Sequence, residues 1–113
     1  MHADIAEKRQ DLIALCRRYD VERLEVFGSA ARGADFDLAR SDADFDLARS
    51  DADFLVTFSP QARDDLSAFA DFKEGLEARL DRPVDLTERE AIEASRNTIR
   101  RRRILAEAET VYG

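Results

Sequence analysis

The residues with the clearest chemical potential are a Gly28-Ser29 pair directly after the largely apolar segment 24–27 and an alternating Ser-Asp-Ala-Asp string downstream. Glycine lets a backbone approach a ligand closely, and amides at a helix start opened by Ser29 point toward an anion, to which Ser29 adds a hydroxyl. Arg32, about one helical turn on, would add a positive charge to the same place. Carboxylates supply the complement. Residues i and i+2 of a strand project from one face, so Asp51 and Asp53 would share a space just beyond Gly28-Ser29. Paired oxygens of this kind suit Mg²⁺, a hard cation that completes its shell with substrate phosphates. Asp85, in the separate segment Pro83-Val84-Asp85-Leu86, offers a third carboxylate; two ions held roughly 3.5–4 Å apart would stabilise both the attacking and the leaving oxygen of an in-line displacement.

These groups must be positioned by recognisable elements. From Asp4, a plausible cap, to about Tyr19, the apolar residues Ile5, Leu12, Ile13, Cys16 and Tyr19 recur at helical spacing. Residues 24–27 read as a short strand stopped by Gly28, and 29–32 as a short helix ended by Gly33. Residues 54–58 form the most strand-like segment, closed by Ser59-Pro60. Leu66, Phe69, Phe72, Leu76 and Leu80 make a helical stripe broken before Pro83. Residues 84–86 predict a third strand, Thr87 caps a helix over 88–94, and Asn97 starts a final helix whose apolar side carries Ile104, Leu105, Ala108, Val111 and Tyr112.

Composition sets limits on the partners. Apolar residues are 44% and charged residues 38% of the 113, a globular balance with room for one modest core. A net charge of −7 argues against general attraction to nucleic acid, and the one basic run, arginines 100–103, points around most of a helix and predicts a solvated or partner-facing role. Cys16 is the single cysteine, which excludes an internal disulfide or a cysteine metal site and fits a reducing compartment. His2, the only histidine, sits at a terminus and is a poor catalytic candidate. No apolar run approaches the roughly 20 residues of a membrane span, so the expectation is a cytoplasmic protein without a membrane partner. The Asp-rich string lacks the turn glycine and distal Glu of an EF-hand loop, which argues against calcium.

The ordered set of a strand, GSAARG, SDADF running into a strand, and PVDL resembles the minimal nucleotidyltransferases of the DNA polymerase β superfamily, which carry a Gly-Ser start, an Asp-x-Asp pair and a later Asp. In so short a chain it is similar to the antitoxin of HEPN/MNT toxin–antitoxin pairs. The resemblance implies an α+β, polymerase β-like nucleotidyltransferase fold: a short mixed sheet of about three strands packed with helices. It would form a single domain over 1–113 with a duplicated loop segment at about 34–51. It also implies Mg²⁺-dependent transfer of AMP from ATP to a hydroxyl, a tyrosine of a HEPN toxin partner. Carried over by position, Gly28 and Ser29 hold triphosphate, Asp51 and Asp53 ligate metal, and Asp85 completes the metal site and helps activate the acceptor. The alternative is a catalytically impaired antitoxin that neutralises its partner by contact.

That alternative arises from a duplication. The nine residues ADFDLARSD at 34–42 recur unchanged at 43–51 and begin again at Ala52-Asp53-Phe54, so Asp42 and Asp44 compete with Asp51 and Asp53 for the site. Twelve residues separate Ser29 from Asp42, near the family's usual gap, whereas twenty-one separate it from Asp51. The following strand favours the second pair, because moving the first copy into its place would replace Leu55 by Asp46 and Phe58 by Arg49. Lengthening the loop between Gly33 and the Ser-Asp pair from seven to sixteen residues adds only about 0.7 kcal/mol of closure entropy, while losing a buried Leu or Phe costs roughly 1.5–3 kcal/mol each. Asp51 and Asp53 are therefore the expected site pair.

Overall fold

The computed structural model describes residues 3–28 and 52–113. The chain opens with α1 (Ala3–Glu7) and α2 (Arg9–Arg18), two helices where the apolar spacing predicts one. Lys8 interrupts them at φ −93° and ψ 4°, yet Ile5 and Leu12 still reach the same core. Asp20, at φ 57°, turns the chain into β1 (Val21–Phe27), which begins before its apolar run because Glu22 and Arg23 lie on an exposed stretch with a register shift. Next come β2 (Ala52–Phe58) and α3 (Leu66–Leu80), whose start is capped by the Asp65 carboxylate accepting from the Ala68 N–H at 3.0 Å. Asp81, at φ 52°, ends that helix. The chain continues through β3 (Val84–Glu88), α4 (Arg89–Glu93), α5 (Thr98–Glu107) and β4 (Glu109–Tyr112).

The four strands form one mixed sheet in the order β3-β2-β1-β4. β1 pairs antiparallel with β2 and β4, while β2 and β3 run parallel, joined across α3. Strand alternation gives the sheet two unlike faces. One face buries Leu24, Val26, Phe54, Val56, Val84 and Leu86 against α2 and α3, where Phe72 meets Phe58 and Tyr19 edge-on at 5.9 and 6.1 Å. The other carries a smaller cluster of Phe27 and Leu55 with Ile92 of α4 and Ile104 of α5. Cys16 lies in the main core, where burial pushes its thiol up to about 12 and makes it a packing residue.

Three expectations are corrected. Val111 and Tyr112 belong to β4, which makes a fourth strand, and not to the final helix. Their spacing of seven and eight from Ile104 mimics a helix, but Thr110-Val111-Tyr112 are strand-prone and the outer edge of β1 takes them up. Thr87 lies within β3 opposite Leu55, so the cap position of α4 falls to Glu88. Leu66 is 84% exposed at the mouth of α3, whereas Phe72, Leu76 and Leu80 of the same stripe are buried. Among the described residues, no helix is long and apolar enough to cross a membrane.

Candidate active site

The site is built at one end of the central strands. Phe27 pairs with Asp53, and Asp53 in turn with Asp85 across the parallel β2–β3 ladder, so the three residues form one row on the smaller-core face. In-register side chains on neighbouring strands share a face and stand about 4.8 Å apart in backbone. Their sequence neighbours enforce this: Ala52, Phe54, Val84 and Leu86 are buried on the opposite face, and a one-residue slip would bury both aspartates. Asp53 is half-buried and Asp85 exposed.

Gly28 is needed here for two separate reasons. Its φ of +69° lies in the left-handed region, and a Cβ on it would fall 2.7 Å from Oδ2 of Asp53. The missing side chain therefore makes the space that the Asp53 carboxylate occupies. From the other side, Glu77 of α3 fixes the start of β3: its Oε2 accepts the Val84 N–H at 3.0 Å, one residue before Asp85. That N–H holds the Glu77 carboxyl below its ordinary value; burial opposes the effect and Lys73 adds to it. Ala52 is tied to the same turn, donating to the Pro83 carbonyl at 3.0 Å.

A cleft of about 340 Å³ opens between this row and α5. Phe27, Gly28, Asp53 and Asp85 form its sheet wall; Arg100, Arg103, Ile104 and Glu107 form its helix wall. Asn97 sets the helix phase by accepting the Arg100 N–H at 3.1 Å, and Ile104 anchors α5 in the smaller core. Arg103 pairs with Glu107 at 3.4 Å along the helix, while Arg101 turns away and donates to the Ser95 carbonyl at 3.0 Å. Sequence reasoning missed the two cleft arginines by treating 100–103 as one run. The usable signal was the series 100, 103, 104 and 107, which lies on one helical face around a buried Ile.

The structure thus brings together Gly28, Asp53 and Asp85. Ser29, Arg32, Asp42, Asp44 and Asp51 lie outside the described residues. Among the described residues, no group of three His, Cys, Asp or Glu side chains gathers to hold a metal. The Asp53–Asp85 pair nevertheless fits one chemically: like charges directly opposite on adjacent strands destabilise a sheet, and a hard divalent cation taking oxygen donors relieves that cost.

Residues 12–108 match the nucleotidyltransferase domain family, and the chain belongs to that family. A solved structure assigned as a minimal nucleotidyltransferase is 30% identical, with a TM-score of 0.65 over 93% of this chain and 90% of that one. A tri-AMPylated Shewanella oneidensis HEPN toxin in complex with MNT antitoxin matches at 19% identity and a TM-score of 0.56, covering 96% of this chain and 71% of the other. A toxin–antitoxin structure with AMP-PNP matches at 19% identity and 0.52, covering 93% and 73%. At these lower identities the likeness is one of fold. No curated protein matches the chain.

Proposed function

We propose that the chain transfers AMP from ATP, with Mg²⁺, to a tyrosine hydroxyl of a HEPN toxin partner and so acts as its antitoxin. The observation that carries this reading is the in-register Asp53–Asp85 pair facing a cleft over Gly28. A tri-AMPylated HEPN toxin in complex with an MNT antitoxin and a toxin–antitoxin structure with AMP-PNP, both similar to this chain in fold, support adenylate as the group and a HEPN protein as the acceptor. Asp53 and Asp85, with Asp51 two positions earlier in the sequence, would hold the cation, and Gly28, Ser29 and Arg32 the triphosphate. The bound cation supplies charge neutralisation at the reacting phosphate. Asp85, the more exposed carboxylate, accepts the proton as the acceptor oxygen bonds to the α-phosphorus and the bond to the bridging oxygen breaks, releasing pyrophosphate. Positioning and electrostatics carry such a transfer, which asks little covalent chemistry of the protein.

The test uses the full chain with α-labelled ATP, Mg²⁺ and the HEPN protein. Label should pass to the toxin and be lost with Asp53→Asn and Asp85→Asn. Unlabelled toxin, or variants that label as well as the parent chain, would overturn the proposal.

The long gap between Ser29 and Asp51 supports the second reading, an antitoxin that binds its partner while transfer is impaired. Deleting 43–51 restores the short gap and puts Asp42 in sequence before Ala52. Activity that arises only on deletion, with partner binding unchanged, would establish that reading.

A further inference from the structure

We infer that Arg100 and Arg103 of α5 bind the polyphosphate of the donor nucleotide, an inference that rests on the nucleotide-transfer reading of this cleft. The two guanidinium groups share one helix face and one cleft with Asp53 and Asp85 on the opposite wall. A cleft with two aspartates on one wall and two arginines, one of them paired with Glu107, on the other suits a ligand that carries both a metal ion and excess negative charge. A nucleoside triphosphate with Mg²⁺ is such a ligand: the ion meets the aspartates, and phosphate oxygens not satisfied by it meet the arginines. Guanidinium presents a planar fork of donors that matches phosphate oxygens bidentately.

The requirement is sharper because the chain carries a net charge of −7, which by itself repels a polyphosphate. The Arg103–Glu107 pair holds one guanidinium along the cleft wall at 3.4 Å and leaves it other donors for a ligand. Neither arginine packs in the core: both are exposed, and the helix is anchored by Ile104. Arg100 also stands in the first turn of α5, where the helix dipole disfavours a cation, so replacing it does not weaken the fold.

Binding of ATP with Mg²⁺ to the full chain, measured by calorimetry, tests the inference. Arg100→Gln and Arg103→Gln should each weaken ATP binding about 10-fold, and the double variant about 100-fold, the loss expected for charge-assisted phosphate contacts. Inorganic triphosphate should compete with ATP for the parent chain and compete poorly for the double variant. Affinity for AMP should change less, and lysine at both positions should restore part of the loss. Arg102→Gln, on the same helix but outside the cleft, should bind as the parent does, with unchanged thermal unfolding in every variant. If the parent binds ATP and the double variant binds it within about two-fold, the arginines do not hold phosphate and this inference fails alone. If that variant keeps ATP binding but loses labelling of the toxin, they face the acceptor protein, and the inference is equally overturned. A parent chain that binds no ATP sinks both this inference and the nucleotide-transfer reading.

Discussion

At the scale of single residues, Gly28 and Asp53 are best understood as one unit. A glycine after a strand is usually explained by backbone freedom alone, but here the absent Cβ is also the volume that Oδ2 of Asp53 approaches. Gly28→Ala therefore carries two penalties. Holding a non-glycine residue at positive φ costs roughly 1–2 kcal/mol, and the methyl must displace the carboxylate or the turn. We expect the variant to fold with a lower Tm, and to lose nucleotide transfer well beyond what that stability loss explains. Equal, proportionate losses in Tm and in labelling would mean that Gly28 serves the turn only. The sequence pointed to Gly28 as a place where backbone approaches a ligand closely; that the Asp53 carboxylate also comes there follows from the register of β1 on β2.

At the scale of elements, β3 is held on α3 by core packing and by one hydrogen bond at its start, and that hydrogen bond titrates. Val84 donates to Glu77 at 3.0 Å, and the carboxylate's pKa is lowered chiefly by this N–H. A carboxyl lowered in the folded state stabilises the fold above its unfolded pKa and loses that contribution as pH falls through the folded value. Glu77→Ala should accordingly cost about 1 kcal/mol at neutral pH, with the difference from the parent chain shrinking under acid. A difference that stays constant in denaturant titrations from pH 7 to 3 would show that Glu77 acts by packing. The element scale is also where sequence reasoning succeeded least evenly. Strong apolar periodicity placed α3 and the body of β2 correctly, because buried Phe and Leu residues at regular spacing leave few alternatives. It failed at β4, where two residues compatible with the α5 face instead pair with β1, because their strand propensity is met by the free edge of a strand distant in sequence.

At the scale of the whole molecule, the duplication lengthens the connection between the sheet's two central strands without changing what those strands bury. Leu55 and Phe58 are fully or almost fully buried, and these are the positions that the first copy would fill with Asp46 and Arg49. The segment that continues into β2 is thus selected by the core, and the carboxylate at 53 comes with it. Length alone predicts a small stability effect: residues 29–51 connect Gly28 to Ala52, and removing nine of these 23 saves about 0.4 kcal/mol of closure entropy. Deletion of 43–51 should therefore leave Tm unchanged or raise it by about 2 °C. A fall of several degrees would mean that the duplicated residues Phe45 and Leu47 pack against the rest of the chain. Activity is read separately from Tm in the same variant. If the deletion neither destabilises nor alters transfer, the strands alone set the site and the extra length is neutral; if transfer rises while Tm holds, the length restrains chemistry that the sheet is already built to perform.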